Sequence, residues 1–576
     1  MNKIKKFGCR LLALSLCAAS VFSVTACNGT TGGSSAGDGN SIDSDLDLQG
    51  GKAENDENTI EVNIYNAGYG VAWFNACAKA FMAKNPQYTI KVDEMSEAST
   101  VGSMIKAGPK NTTVDLFVIG GNVNSIVASG SKAVAGYDVA IEPLDDVYNS
   151  TIPGEDRTIL DKMYDWASKA YLQPVEINGE VEEHYFGMPW GDGFSGIMYN
   201  KALFAEAGLT KEPRTTDELQ RYCAALKDKN ITPFIYSAGD DYFEYCAEVW
   251  WAQYEGQKGI DNFYNGKIHD NADPDENTSI EIFKQEGLRE MFKVYEELLN
   301  PEKDYVCEVV ESLGFVEAQA FFLKGDKNLL QHGAMMPNGV WLENEMKNSA
   351  TSSQVNVNNI LPMRTPIISA LSDKMSYWAE TDNFTEASKT MTAETRKAYD
   401  DKLCALVDYV DGLGDKPAWA TDKDVKIMQE SRAYICGGVG STMSIPAYAT
   451  AKNAAKEFLK YMATDEAIAL YMDNTSGNSL PYDYDIKSWS GYANLSDFAK
   501  RKFEIKENAV AVISEDSYPM YYIGGLRYDN GLKNYNICIT FGARNSTRKT
   551  ADEVITGGYN YYKSIMKKIL QDSGLL

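Results

Sequence analysis

The residue types that most often carry catalysis are sparse or scattered in this sequence. Its three histidines, His184, His269 and His332, lie far apart and lack the spacing of metal ligands. Glycine-rich phosphate loops, Gly-x-Ser-x-Gly turns and His-Glu-x-x-His helices are absent. With 81 Asp and Glu residues, a pair of carboxylates can always be imagined, so acidic residues alone do not indicate a hydrolase. We therefore expect no enzymatic activity, no metal and no cofactor.

The cysteines also indicate buried core residues more than a metal-binding or redox site. There are ten, of which Cys9, Cys17 and Cys27 lie in the N-terminal segment. The other seven are odd in number, scattered, and without a Cys-x-x-Cys pair. Since free cysteine is among the most buried residue types, we interpret most of them as small hydrophobic core residues.

Residues 1–26 have the layout of a secretory signal. Four basic residues fall within the first ten, an apolar stretch covers 11–24, and small residues precede Cys27. The apolar stretch is short for a membrane span of about 20 residues. A cysteine at this place resembles a bacterial lipobox, in which Cys27 is diacylated and becomes the mature N-terminus. The alternatives are an ordinary signal peptide or a membrane anchor.

The segment that follows, 27–58, is predicted to be a flexible tether. It consists mostly of Gly, Ser, Thr, Asn and Asp, with almost nothing to bury, so it cannot repay the entropy of ordering. A coil of this length spans about 30 Å end to end. We therefore expect a globular body tethered by lipid to the extracellular face of a bacterial membrane.

Length and charge restrict the remaining possibilities. With 576 residues and 44% hydrophobic residues, the chain is long enough for two or three domains with real cores. Its net charge of −26 argues against nucleic acid or an acidic lipid surface as a partner. A neutral or cationic ligand fits this charge.

Strands alternate with helices at the start of the folded part. Residues 60–64 alternate apolar and polar side chains, as in a strand, and Trp73, Cys77 and Phe81 follow at helical spacing. Residues 114–119 form an apolar run that predicts a strand buried on both faces. This order indicates a mostly parallel α/β sheet with helices on both sides.

Ligands of such sheets bind beyond the carboxyl ends of the strands. The turn after the first strand contains Asn66 and Tyr69, and the turn after the third strand contains Asn122. These three residues are therefore candidates for ligand binding.

Four segments of the chain resemble one protein family in the family's own order. The first, 185–219, contains Tyr-Phe-Gly-Met-Pro, then Tyr-Asn-Lys-Ala-Leu-Phe, then Pro-Arg-Thr-Thr-Asp-Glu-Leu. The second, 320–341, ends with Ala-Met-Met-Pro-Asn-Gly-Val-Trp, and the others are 360–362 and 452–462. Together they are similar to the extracellular solute-binding proteins of sugar-importing ABC transporters, of the maltose-binding-protein type.

The resemblance implies a two-lobed, type II periplasmic-binding-protein-like α/β fold with a ligand cleft between the lobes. The crossing strands are expected near 187–189, near Pro362 and after Ile445. Lobe 1 is then expected to contain 59–188 and 363–475, with a helical insertion at about 369–430. Lobe 2 is expected to contain 189–362 and 476–576.

The family also implies a sugar ligand and ABC permease subunits as partners, with the binding protein a monomer. Sugar rings present apolar C–H faces and a rim of hydroxyls, which aromatic rings and carboxylates or amides recognise. The cleft candidates in the matched segments are Trp190, Asp192 and Trp341. Two more, Asp240 and Tyr242, open the helix that follows a predicted strand of the second lobe. Each has a structural alternative, since tryptophans often lie in cores and Asp240 can cap a helix.

Two other functions stay open at this point. The same fold can bind a non-sugar solute such as a peptide or a polyamine, and a secreted glycoside hydrolase is a less favoured alternative.

Overall fold

The computed structural model describes residues 56–66, 68–95, 100–129, 134–177, 179–324, 333–348, 357–378, 383–437, 441–544 and 546–576. The predictions for the signal peptide, Cys27 and most of the tether lie outside these residues. Within them, no helix has the length and apolar character needed to cross a membrane.

The strands, numbered in chain order, are β1 Thr59–Tyr65, β2 Thr89–Met95, β3 Leu116–Gly120, β4 Leu172–Ile177, β5 Glu180–Tyr185, β6 Met188–Pro189, β7 Phe194–Asn200, β8 Thr232–Phe234, β9 Gly333–Gly339, β10 Ile360–Pro362, β11 Tyr434–Gly437, β12 Ser441–Ser444 and β13 Val510–Ala511.

The helices are α1 Ala72–Lys84, α2 Val101–Ala107, α3 Asn124–Val127, α4 Asp145–Tyr148, α5 Ile159–Lys162, α6 Asp165–Tyr171, α7 Lys201–Glu206, α8 Thr216–Asp228, α9 Ala247–Glu255, α10 Gln257–Tyr264, α11 Glu286–Leu298, α12 Phe315–Lys324, α13 Leu342–Asn348, α14 Phe384–Ser388, α15 Ala393–Val410, α16 Asp422–Ala433, α17 Lys452–Met462, α18 Asp465–Asn474, α19 Asp497–Lys506, α20 Pro519–Tyr522, α21 Ile537–Phe541, α22 Ala551–Lys563 and α23 Met566–Asp572.

Lobe 1 is built on a five-stranded sheet in the order β2-β1-β3-β12-β6. Strand β1 pairs in parallel with β2 and β3, and β12 runs antiparallel to β3. The predicted helix stripe is present, since Trp73, Cys77 and Phe81 of α1 are buried in the core of this lobe. Because β1 and β3 are parallel, their carboxyl ends lie at the same edge of the sheet.

Lobe 2 is built on a second sheet in the order β13-β11-β7-β9-β8, with β10 paired to β7. Its central strand β7 is buried along nearly its whole length and runs antiparallel to β9. Trp250 and Trp251 of α9 are fully buried in its core. The two sheets and their separate cores confirm the predicted two-lobed α/β fold.

The segment 363–437 differs from the expectation that it belongs to lobe 1. Ile367, Leu371, Leu403 and Met428 lie in the hydrophobic core of lobe 2, and β11 joins the lobe 2 sheet. Strand β10 pairs with β7 inside that sheet, so the chain does not cross between lobes at Pro362.

Residues after 476 also differ from their expected assignment. Leu480, Tyr482 and Leu495 pack in the core of lobe 1, whereas the chain from β13 onward packs in lobe 2. The chain passes from lobe 1 to lobe 2 at helix α19, because Phe498 is buried in the lobe 2 core and Ala499 in the lobe 1 core. The expected lobe 2 segment 476–576 is therefore divided between the two lobes.

The passage from β6 to β7, residues 190–193, is fixed by a buried ion pair. The Asp192 carboxylate is 3% exposed and pairs with Lys506 at the end of α19. The Lys506 ammonium also donates to the Asp192 carbonyl at 2.7 Å and to the Ser479 hydroxyl at 2.9 Å. Burial raises the pKa of Asp192, and Lys506 opposes this rise. The pair therefore ties together two segments that pass between the lobes.

We expect Lys506→Met to destabilise the protein by about 3 kcal/mol, because it leaves a buried carboxylate without its cation. Urea unfolding of wild type and variant measures this difference. Adding Asp192→Asn to Lys506→Met is expected to recover part of the loss.

Lys500→Met is the matched control, since Lys500 is exposed on the same helix. An equal loss of stability in Lys500→Met and Lys506→Met would contradict the role given to the ion pair.

Candidate functional site

The turn after β1 touches lobe 2 through its backbone. The Asn344 side-chain amide of α13 donates to the Gly68 carbonyl at 2.9 Å. A Cβ atom at Gly68 would lie 3.1 Å from a ring carbon of Trp341 and 3.0 Å from a carboxylate oxygen of Glu345. A side chain at position 68 would therefore force these groups to shift, and glycine allows the lobes to approach.

Trp341 belongs to an aromatic group on lobe 2. Its ring is perpendicular to that of Tyr245, with the two ring centroids 6.0 Å apart. The ring centroids of Tyr245 and Tyr242 are 5.2 Å apart. The two tyrosines come from the 3₁₀ helix Tyr242–Cys246, and Trp341 is the second residue after β9. Burial, and then Glu345, raise the pKa of Tyr242. Three rings thus lie beside the carboxyl end of β1, where a flat apolar ligand face can be stacked.

A second contact between the lobes lies at the turn after β3. The Asn122 side-chain amide donates to the Asp516 carboxylate at 2.6 Å, and the Asn124 amide donates to the Asp516 carbonyl at 2.9 Å. Asp516 lies in the segment after β13 of lobe 2. Burial raises the pKa of Asp516, and its hydrogen bond with Asn122 opposes this rise.

A group of carboxyl side chains surrounds Asp516 on the lobe 2 side. The Glu515 backbone N–H donates to the Glu248 carboxylate at 3.0 Å, and the Tyr264 hydroxyl donates to Glu515 at 2.8 Å. Burial raises the pKa of Glu515 to about 8 and that of Glu244 to about 7. Burial also raises the pKa of Glu248 strongly. These carboxyl groups can donate as well as accept hydrogen bonds near neutral pH.

Three of the predicted binding residues lie in the interior instead. Trp190 is 3% exposed, stacks on Trp73 at 5.2 Å, and donates from its indole N–H to the Ile119 carbonyl at 2.7 Å. Tyr69 is buried with its ring edge-on to Trp190 at 6.2 Å. Asp192 is held by Lys506, as described above. Trp190 and Tyr69 therefore pack in the lobe 1 core, and Asp192 stabilises the segment that passes between the lobes.

Asn66 and Asp240 are exposed at the edges of the site. The Asn66 side-chain amide donates to Glu94 at 2.8 Å. Asp240 does not cap the 3₁₀ helix Tyr242–Cys246, because Asp241 is the residue at its N-cap position. Asp241 has a left-handed backbone conformation with a φ of 48°. Asp241 is buried and accepts hydrogen bonds from the backbone N–H groups of Ile537 and Cys538.

Of the eight predicted residues, Trp341 and Asn122 lie at the contacts between the lobes, and Tyr242 lies in the aromatic group that contains Trp341. Sequence reasoning did not select Tyr245, Glu248 or Asp516 as site residues. A signal existed for Tyr245, because it is three residues after Tyr242 in an aromatic-rich segment. Asp516 had no such signal, since only the path of the C-terminal region brings it opposite Asn122.

Within the described ranges, no group of three or more His, Cys, Asp or Glu side chains has a geometry that could hold a metal ion. Of the seven cysteines in these ranges, all but Cys436 are buried.

Comparison with known proteins shows which family part of the chain resembles and which fold it has. The family described as bacterial extracellular solute-binding protein matches residues 67–291. A putative binding protein of Brucella abortus is 26% identical over 175 residues, and the multiple sugar-binding protein of Streptococcus mutans is 22% identical over 187 residues. These matches cover 30% and 32% of this chain, and the chain spans only 37% of the length of each relative.

Among solved structures, a chitin oligosaccharide binding protein superimposes with a TM-score of 0.54 and 17% identity. The superposition covers 88% of this chain and 99% of that protein. These findings confirm the resemblance predicted from the sequence. The chain therefore resembles bacterial extracellular solute-binding proteins over residues 67–291, and it shares the two-lobed fold of the chitin oligosaccharide binding protein.

The raised pKa of Glu244 makes part of the folding stability depend on pH. Its pKa of about 7 in the fold exceeds the ordinary value of 4.5, so its stabilising effect is complete below pH 4.5 and is lost as pH rises through 7. We expect Glu244→Gln to be more stable than wild type at pH 8.5 by on the order of 2 kcal/mol, and equally stable at pH 4.

Thermal unfolding of both proteins across this pH range measures the effect. Glu394→Gln, a change at an exposed glutamate of α15, serves as the control and should follow wild type. If the stabilities of Glu244→Gln and wild type changed in parallel with pH, the raised pKa of Glu244 would be ruled out.

Proposed function

We propose that this protein is the substrate-binding component of an ABC importer that captures a neutral sugar or oligosaccharide. The observation that supports this most strongly is the group Trp341, Tyr245 and Tyr242 on lobe 2, opposite the backbone of Gly68 on lobe 1. The name of the Streptococcus mutans relative, multiple sugar-binding protein, supports the same ligand class. The ligand would be released unchanged to the permease.

The physical basis of this proposal is complementarity to a sugar ring. Aromatic rings cover the apolar C–H face of a pyranose, and the amide of Asn122 with the carboxyl groups of Asp516 and Glu248 can bind its hydroxyls. Both lobes contribute, so a ligand bound between them would favour the closed arrangement.

We further propose that the mature protein is anchored to the outer face of the bacterial membrane through a lipid on Cys27. The sequence before Cys27 supports this. Replacement of Cys27 by serine should move the protein from the membrane fraction to the medium, while retention of Cys27→Ser at the membrane would argue for a different anchor.

Trp341→Ala is expected to weaken sugar binding by about 30-fold, or about 2 kcal/mol, because the ligand loses its central stacking surface. Isothermal titration calorimetry measures this with whichever neutral saccharide first gives a thermal shift in a panel of mono- and oligosaccharides.

The control for this test is Trp419→Ala. Trp419 packs edge-on against Tyr377 at 4.6 Å, in the helical segment 363–437 and away from the lobe contacts. Equal saccharide affinity in Trp341→Ala and wild type would exclude the stacking role. Release of shorter saccharides during incubation would instead support a glycoside hydrolase.

A cationic solute such as a polyamine is a second candidate, favoured by the buried carboxyl groups Glu244, Glu248, Glu515 and Asp516 beside the site. A cation would draw these groups into their charged form. The same thermal-shift panel separates the two candidates, because stabilisation by polyamines and by no saccharide would select this one.

A further inference from the structure

A separate cavity of about 620 Å³ opens in lobe 2 and shares no lining residue with the candidate site between the lobes. It lies between α19, the end of α15 and the end of α16. Its volume is in the range of small-molecule pockets.

Three arginines line this cavity in a protein whose net charge is −26. Two of them are neutralised by carboxylates. Arg432 bonds to Asp411 at 2.8 Å. Arg501 bonds to Glu212 at 2.8 Å and to Glu504 at 2.9 Å.

Arg364 is bonded differently from its two neighbours. Its guanidinium donates to the backbone carbonyls of Glu504 at 2.9 Å and Ile505 at 3.0 Å, and more weakly to that of Arg432 at 3.4 Å. Glu504 and Ile505 are in the last turn of α19, where a cation is favourable. A guanidinium has five N–H donors, so these bonds leave donors for a further partner.

The electrostatic setting of Arg364 favours an added anion. Burial, followed by the charge of Arg432, lowers the pKa of Arg364 to about 10. Asp411 and Glu212 oppose this fall, and the Glu212 carboxylate accepts the backbone N–H of Arg364 at 3.2 Å. Asp411, Glu212 and Glu504 are already engaged by the other arginines, and Glu507 is exposed. An anion placed on Arg364 would relieve the repulsion between Arg364 and Arg432.

We propose that this cavity is a second ligand site, which binds a small organic oxyanion through Arg364. Its carboxylate or phosphate group would be held by the guanidinium fork, which matches the geometry of both. Val410 and Leu413 supply an apolar wall for the organic part. The proposal does not depend on the ligand between the lobes.

The test is calorimetric titration of the full mature chain with citrate and with inorganic phosphate, at constant ionic strength. We expect saturable binding of at least one of these anions, with Arg364→Gln weakening it by about tenfold. Binding of citrate alone would identify a carboxylate ligand, and binding of phosphate alone a phosphorylated one. Arg544→Gln, at an arginine with a side chain 45% exposed in lobe 2, is the matched control and should bind as wild type does.

A second variant tests the cavity without removing the hydrogen bonds that Arg364 donates to backbone carbonyls. Leu413 lines the cavity and is 67% exposed, so Leu413→Glu adds a negative charge at the rim without disturbing a core. It should weaken anion binding several-fold, whereas Val181→Glu, at a residue 73% exposed on β5, should not. Absence of binding by either anion, or equal binding by wild type, Arg364→Gln and Leu413→Glu, would overturn the proposal.

Discussion

The two lobes depend on polar contacts where the chain passes between two separate hydrophobic cores. Asp192 and Lys506 are buried at this place, and the lysine also bonds to Ser479 of the segment that returns along lobe 1. A buried ion pair contributes little net stability compared with apolar packing, but it is costly to break and therefore restricts the geometry. The relative position of the lobes is thus restricted by charge pairing, while each lobe is stabilised by its own core.

Two tryptophans in the matched segments have different surroundings, and backbone position explains why. Trp190 follows β6 of lobe 1 directly, and its indole is stacked on Trp73 with its N–H on the Ile119 carbonyl. The Trp190 ring is therefore buried and its N–H is hydrogen-bonded within lobe 1. Trp341 follows β9 of lobe 2 and is only half-buried, with Tyr245 on one side and the Gly68 backbone on another. The Trp341 ring is thus more exposed than the Trp190 ring, although it also packs against the lobe 1 core.

The sequence allowed the fold class and the first sheet to be predicted, because β1 alternates with a period of two, α1 repeats every four residues and β3 is a continuous apolar run. The path of 363–437 could not be predicted in this way. Strands β10, β11 and β12 have only three or four residues, too few for a periodic pattern to identify a sheet. For the site, residues next to a strand end were found, whereas Asp516 could not be, since its partner Asn122 is 394 residues away in the chain.

The candidate site is asymmetric, and this affects the order of binding. The aromatic rings Tyr242, Tyr245 and Trp341 and the carboxyl groups around Glu248 all belong to lobe 2. Lobe 1 adds the Gly68 backbone and the Asn122 amide. Because stacking surface contributes more binding energy than single neutral hydrogen bonds, a sugar would bind lobe 2 first and lobe 1 would close over it. On this account, variants of lobe 2 rings change the intrinsic affinity, and variants of lobe 1 polar groups change the closing step.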